Sequence, residues 1–220
     1  IGIVVLVLAI LPILGVGGMY LYKAETSSPI KDNKLSPRIT ETAKSLWGVY
    51  LILTLLCALS YKLAGMDYFD AIGHSFSTVS IGGFSTHNES IGFYSNDVIK
   101  IICIVFMFIS ALNFVLHFLF YKTRSFENYF SNSEMKTFLS FILSILLLIL
   151  IFSTSGRLSG IDNINLIFHV FSFVTTSGFT VSDYSAWPTF IITLIFLSSF
   201  IGACAGSAGG GIKVIRIMEL

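Results

Sequence analysis

Ile72 to Phe84 reads IGHSFSTVSIGGF, and Ile167 to Phe179 reads IFHVFSFVTTSGF. At a constant offset of 95 residues the two stretches agree at seven of thirteen positions: Ile72/Ile167, His74/His169, Phe76/Phe171, Ser77/Ser172, Val79/Val174, Gly83/Gly178 and Phe84/Phe179. Each begins semi-apolar, turns to Ser, Thr and Gly, and is too short and too polar to cross a bilayer. Each also lies between two long apolar runs. The repeating unit is therefore helix, re-entrant segment, helix, and such a repeat implies stacked or ring-like copies of one supersecondary unit.

Working outward, five apolar runs frame these segments. They are Ile1 to Tyr22, interrupted by Pro12 and the Gly15-Gly17-Gly18 cluster, Leu46 to Tyr61, Val98 to Tyr121, Phe138 to Phe152, and Trp187 to Ile217, which glycines split near Gly206. A hydrocarbon core of about 30 Å takes about 20 helical residues. The first, third and fifth runs meet that length, and the second and fourth reach it with their flanks. Composition agrees: 55% of residues are hydrophobic, 11% are charged, and the mean hydropathy is +0.86. Soluble domains carry roughly a quarter charged residues. The net charge of +1 favours no particular partner and leaves no nucleic-acid footprint. Cys57, Cys103 and Cys204 all fall in apolar runs without metal-type spacing and read as small packing residues. The chain opens inside an apolar run without Met or a signal-peptide pattern, so it is expected to be a fragment cut at both ends.

Basic residues set the orientation. If Ile1–Tyr22 ends in the cytoplasm, that side receives ten of the thirteen Lys and Arg residues, and the other keeps only Lys62, Lys100 and Arg157. This asymmetry follows the positive-inside rule and puts both re-entrant segments on the outer side. The outer side then also holds Asp67, Asp70, Glu89, Asp97, Asp162 and Asp183, a net of 3 − 6 = −3. A mildly negative entrance concentrates cations.

Non-helical backbone at membrane depth is tolerated only where protein buries it or where it lines a water-filled path. Thr78-Val79-Ser80-Ile81-Gly82-Gly83 and Val174-Thr175-Thr176-Ser177-Gly178 are β-branched and glycine-bearing. That favours an extended chain whose carbonyls can replace the hydration shell of a cation, as rings of backbone oxygens do for potassium. The carbonyls concerned are those of Ser80, Ile81, Gly82, Thr175, Thr176 and Ser177. The dozen residues before each stretch are expected to form a half-helix with its partly negative C-terminal end toward the pore.

With these motifs in view, the chain resembles the Trk-type potassium uptake proteins (the Trk, Ktr and HKT superfamily), and within it the bacterial TrkH-like branch. The resemblance runs from end to end, through ILPILGVGGMYLYKAE, TVSIGGFSTHNESIGF, FSFVTTSGFTVSDYSAWP and SSFIGACAGSAGGGIKVIRI. Members carry four such units around one pore. The resemblance implies residues 1–22 as the closing helix of a first unit, 23–45 as a cytoplasmic connector and 46–121 as the second unit. Residues 122–137 form a further connector, and 138–220 a third unit, C-terminally truncated, with a broken last helix. It further implies a homodimer in the bacterial inner membrane and a cytosolic nucleotide-binding regulatory subunit of the TrkA type. By resemblance, Gly83 and Gly178 lean toward potassium over sodium.

Gly206-Ser207-Ala208-Gly209-Gly210-Gly211 should break the fifth run, because three consecutive glycines cost a helix roughly 1 kcal/mol each against alanine. The resemblance makes this stretch an intramembrane gate below the filter; a close helix-packing surface of small residues is the other reading. A phosphate loop is excluded, since Ile212 separates Gly211 from Lys213 and Val214 follows where Ser or Thr is needed.

Other polar residues in apolar runs read as structural. Lys100 is expected to snorkel from a helix end, and Asn113 and His117, four apart, to bond a neighbouring helix from one face. His74 and His169 are expected to make a shared structural bond behind the filter, and Pro12 to kink the first helix. Lys23 to Lys44 reads as a solvated linker, which the resemblance makes a docking surface. Two other functions compete. A Ser–His dyad from Ser177, Ser207, His117 and His169 would make an intramembrane serine protease, but no nucleophile motif is present. An ion-coupled symporter would bind at midplane breaks, but the duplication here is direct rather than inverted. The expectation is an all-α polytopic membrane fold with helix–re-entrant pore loop–helix repeats around a pseudo-fourfold potassium-channel-like pore, with no catalytic residues, no cofactor and potassium as cargo.

Overall fold

The computed structural model describes residues 39–152 and 162–219, and the fold among them is helical without strands. Helix α1 (Ile39–Leu63) is long and apolar enough over Ser45–Leu63 to cross a membrane and precedes the first repeat segment. It ends where glycine makes ending cheap: Gly65 takes φ +106°, Gly65 N–H donates to Lys62 O and Met66 N–H to Tyr61 O. This is a Schellman cap, with the left-handed residue at C′. Half-helix α2 (Tyr68–Val79) follows, then a 3-10 turn (Ser90–Phe93).

Helices α3 (Asp97–Ala111) and α4 (Phe114–Thr123) occupy the third apolar run. The sequence suggested one continuous span there; instead the two helices bend by 94° at Leu112-Asn113. Asn113 is the N-cap of α4, accepting from Val115 N–H at 2.9 Å. Asn113 and His117 therefore do not share a helix face directed at one neighbour. His117 bridges the bend, with Nε2 2.9 Å from Ile109 O and Nδ1 2.7 Å from Tyr129 Oη. The short α5 (Glu127–Ser131) leads to α6 (Ser133–Phe152), the second helix long and apolar enough to cross a membrane alone. Half-helix α7 (Asn163–Val174), α8 (Thr189–Ser198) and α9 (Val214–Met218) complete the described chain. The last run leaves the helix at Ser199, well before the glycines that were expected to break it. The closing helix 1–22 with Pro12, the connector up to residue 38 and Arg157 lie outside the described residues; 39–45 already belong to α1.

Two apolar cores hold the units, and each borrows from the other. Cys57, Tyr61, Met66, Ala71, Val79, Ile91 and Cys103 around the first repeat segment enclose Phe168, Phe179 and Val181 from around the second. Phe138, Ile142, Val170, Val174 and Ile191 around the second repeat segment enclose Ile81, Ala111 and Leu112 from around the first. The three cysteines are buried and free. Lys100 does not snorkel: it is 9% exposed, and its Nζ bonds Asp97 Oδ1 (2.9 Å) and Asn165 Oδ1 (3.0 Å), tying α3 to α7. An amine held by two fixed acceptors has less to gain from water than one with none.

Candidate functional site

The two repeated segments fold alike. Half-helices α2 and α7 are each 12 residues long and end at register-equivalent positions. Thr78, Val79 and Val174, expected in extended backbone, are instead the last helical residues. Their β-branched side chains are tolerated because the turn that follows is sealed by hydrogen bonds. In the second unit Ser80 N–H donates to Phe76 O (3.1 Å), Ile81 N–H to Thr78 O (3.1 Å) and Gly82 N–H to Ser77 O (2.7 Å). In the third, Thr175 N–H donates to Phe171 O (2.9 Å), Thr176 N–H to Phe173 O (2.9 Å) and Ser177 N–H to Ser172 O (2.8 Å).

Both turns are Schellman caps like the one at Gly65, but their left-handed residues are β-branched. Ile81 has φ +55° and Thr176 φ +64°, and Gly83 (+70°) and Gly178 (+85°) follow in the same region. A β-branched residue there is a true outlier, costing on the order of 1–3 kcal/mol, and such strain gathers at functional sites. Among the described residues no hydrogen bond reaches the carbonyls of Ser80, Ile81, Gly82, Thr175, Thr176 or Ser177.

The turns also meet. A β-carbon on Gly83 would overlap the Ser177 carbonyl, so the two segments stand side by side. The half-helices are pinned from behind. His74 Nδ1 donates to Asp70 O (2.8 Å) and His169 Nδ1 to Asn165 O (2.7 Å), the shared bond expected from the repeat. Tyr61 Oη pairs with Thr78 Oγ1 at 2.8 Å, both residues fully buried. Outside α2, Asp70 accepts from Thr86 Oγ1 (2.7 Å), His87 Nε2 (2.8 Å) and Tyr94 Oη (2.7 Å). Burial raises the Asp70 carboxyl, but these three donors outweigh it and hold it at about 2.

Residues 199–213 form an irregular loop against the turn at Thr175-Thr176. Gly210 N–H donates to Thr176 Oγ1 (2.7 Å), and a β-carbon on Gly209 would come within 3.2 Å of Thr175 O and 2.5 Å of Ala203 Cβ. Of the expected gate residues, Gly209 and Gly210 touch that turn directly, while Gly206, Ser207 and Ala208 lie in the break between α3 and α4. There Cys204 N–H donates to Ala111 O (3.0 Å), Ala208 N–H to Ser110 O (3.1 Å), and Phe114 N–H to Gly206 O (3.1 Å). A broken helix leaves backbone groups without partners, and in a membrane these must be satisfied internally. The loop supplies them. Gly211 (φ +71°) sits where the strand-like returns of Gly202 N–H to Ile212 O (2.9 Å) and Ile212 N–H to Phe200 O (3.0 Å) close the loop. Ser110, Ala111, Phe114 and Ala203 were not singled out from sequence. Asn113, a helix-capping residue inside an apolar run, was the available signal for the break.

A family model described as TrkH, a cation transport protein, matches residues 1–158 and 156–220. The chain belongs to the TrkH family. The Trk system potassium uptake protein TrkH of Halomonas elongata is 50% identical over 221 residues, covering 99% of this chain and 45% of that protein. TrkH of Escherichia coli K12 is 50% identical over 222 residues, covering 100% of the chain and 46% of that protein. The crystal structure of the potassium transporter TrkH from Vibrio parahaemolyticus matches with a TM-score of 0.79 and 43% identity, over 99% of this chain and 44% of that one. The chain thus spans a little under half the length of the TrkH proteins it matches. Its fold is the TrkH membrane fold of helices and re-entrant pore loops.

Proposed function

We propose that this chain supplies the second pore unit (46–121) and most of the third (138–220) of a potassium uptake transporter. In this reading the carbonyls of Ser80, Ile81, Gly82, Thr175, Thr176 and Ser177 replace the hydration shell of the ion. The observation that carries it is the pair of register-equivalent turns, side by side, whose carbonyls take no hydrogen bond among the described residues. Oxygens left without donors in a dehydrated setting are costly unless a cation satisfies them.

Two contacts support a ring of units. Gly83 abuts the next unit's filter carbonyl, and Phe179 inserts behind the preceding unit's half-helix, its ring 6.4 Å from His74. The repeat extends the same rule to Gly178 and Phe84, each facing a further unit on its own side. Loop 206–211 acts as the gate, because it lies against Thr175 and Thr176. The direct repetition favours a pore over a symporter. Among the described residues neither Ser177 nor Ser207 bonds a histidine: Ser207 Oγ donates to Cys204 O instead. The setting is the bacterial inner membrane, as a homodimer. A TrkA-type nucleotide-binding subunit would meet the cytoplasmic side, where Lys122, Arg124 and Lys136 are exposed.

Rubidium and sodium uptake by cells carrying the complete transporter tests the reading. Gly83→Ser or Gly178→Ser is expected to lower the potassium-to-sodium preference, and an unchanged ratio in both would refute the filter assignment.

A further inference from the structure

Glu134 is an acid in the first turn of α6 and only 5% exposed, whereas the neighbouring Lys136 is exposed. A buried carboxylate persists only where donors meet it. Here they come from loop 199–213 and its exit. Ala205 N–H donates to Glu134 Oε1 at 2.6 Å, the backbone of Ile215 lies beside the same carboxylate, and the charge of Lys213 attracts it. Lys213 in turn donates through Nζ to Gly209 O, next to the glycine that bonds Thr176. One carboxylate thus meets the backbone before the glycines, at Ala205, and after them, at Ile215, while Lys213 holds the glycine segment through Gly209.

We infer that Glu134 is a positioning residue for the gate: its carboxylate, with Lys213, latches loop 199–213 in the blocking position under Thr175 and Thr176. This rests on the gate reading above. The loop's other anchors are backbone bonds to Ser110, Ala111 and Phe114, which move with α3 and α4, and the Gly210 bond to Thr176. The bond between Ala205 and Glu134 fastens the loop to α6. Opening the gate must break or carry it, so its strength sets the resting closed fraction. Hydrogen bonds to charged groups are the strong kind, and losing one is worth about a tenfold change in an equilibrium.

The test is resting rubidium uptake by the complete transporter, per amount of protein in the membrane, with the potassium-to-sodium ratio measured alongside. Glu134→Leu keeps the apolar volume and removes the acceptor; it is expected to raise resting uptake about tenfold with the ratio unchanged. Glu134→Gln keeps an acceptor oxygen for Ala205 N–H and is expected to restore most of the closed behaviour. That rescue is one a purely packing role for position 134 would not produce. Should Glu134→Leu fail to accumulate, Glu134→Asp, one methylene too short for Ala205, is expected to raise uptake by a smaller factor. Deletion of Gly210 separates the two claims. If the deletion raises uptake while Glu134→Leu and Glu134→Asp stay at the wild-type level, the latch is overturned and the gate stands. If the deletion also leaves uptake unchanged, the gate reading falls and the latch with it.

Discussion

Gly83 and the carbonyl of Ser177 come so close that no β-carbon fits between them. Gly83 also has φ +70°, so an added side chain meets strain and overlap together. Backbone strain alone costs on the order of 1–3 kcal/mol. The clash with a carbonyl cannot relax by rotating a flexible side chain. Gly83→Ala is therefore expected to displace the third filter turn and lower rubidium uptake at least tenfold in protein that still reaches the membrane. Wild-type uptake by that variant would contradict the contact.

Ile81 and Thr176 offer the opposite experiment, because there the strain is already present. Glycine accepts φ near +60° without penalty. Ile81→Gly empties a buried apolar position and is expected to lower thermal stability, but by about 1 kcal/mol less than Ile81→Ala, which keeps the strain, while potassium preference falls. Thr176→Gly should behave alike but also raise resting flux, since it removes the Oγ1 that accepts from Gly210. An Ile81→Gly variant no more stable than Ile81→Ala would show that the turn is not strained.

Asp70 makes the outer loop sensitive to acid. Its carboxyl is held at about 2 in the fold, below its ordinary value of 3.8. A depressed carboxyl adds stability above its unfolded value and loses it as pH falls toward the folded one. The contribution is about 1–2 kcal/mol at neutral pH. Asp70→Asn is expected to lower the melting temperature of the purified transporter at pH 7, with the difference from wild type shrinking between pH 4 and 2. A difference independent of pH would show that charge is not what matters.

Lys100 fastens the second unit to the third through Asn165. Lys100→Met keeps the stem and drops the ammonium, leaving Asn165 Oδ1 without that donor; a loss of about 1–3 kcal/mol is expected, read by thermal unfolding. Asn165→Ala in the Lys100→Met background should then add little, and a fully additive loss would argue against the pair.

Much of the architecture was legible in the sequence because it repeats. The 95-residue duplication placed both half-helices, their histidine bonds and both glycine turns, since each depends on residues close in the chain. What was not legible depends on distant partners. The bend at Leu112-Asn113 contains neither Pro nor Gly, and it is stabilised by loop residues from a different unit, Cys204, Gly206 and Ala208. Lys100 could be judged a snorkelling residue only while Asn165 was unseen. Glu134 looked like part of a charged connector until Ala205 appeared beside it. The β-branched αL turns broke the local rule that glycine fills such positions, as it does at Gly65 and as functional sites often do not.

The most direct test of the carbonyl filter is anomalous scattering from rubidium or thallium soaked into crystals of the complete transporter. The account predicts density within direct coordination distance of the Ser80, Ile81 and Gly82 carbonyls and, on the same axis, of those of Thr175, Thr176 and Ser177. Bound ion that avoids both turns, or that contacts side chains in place of these oxygens, would contradict it.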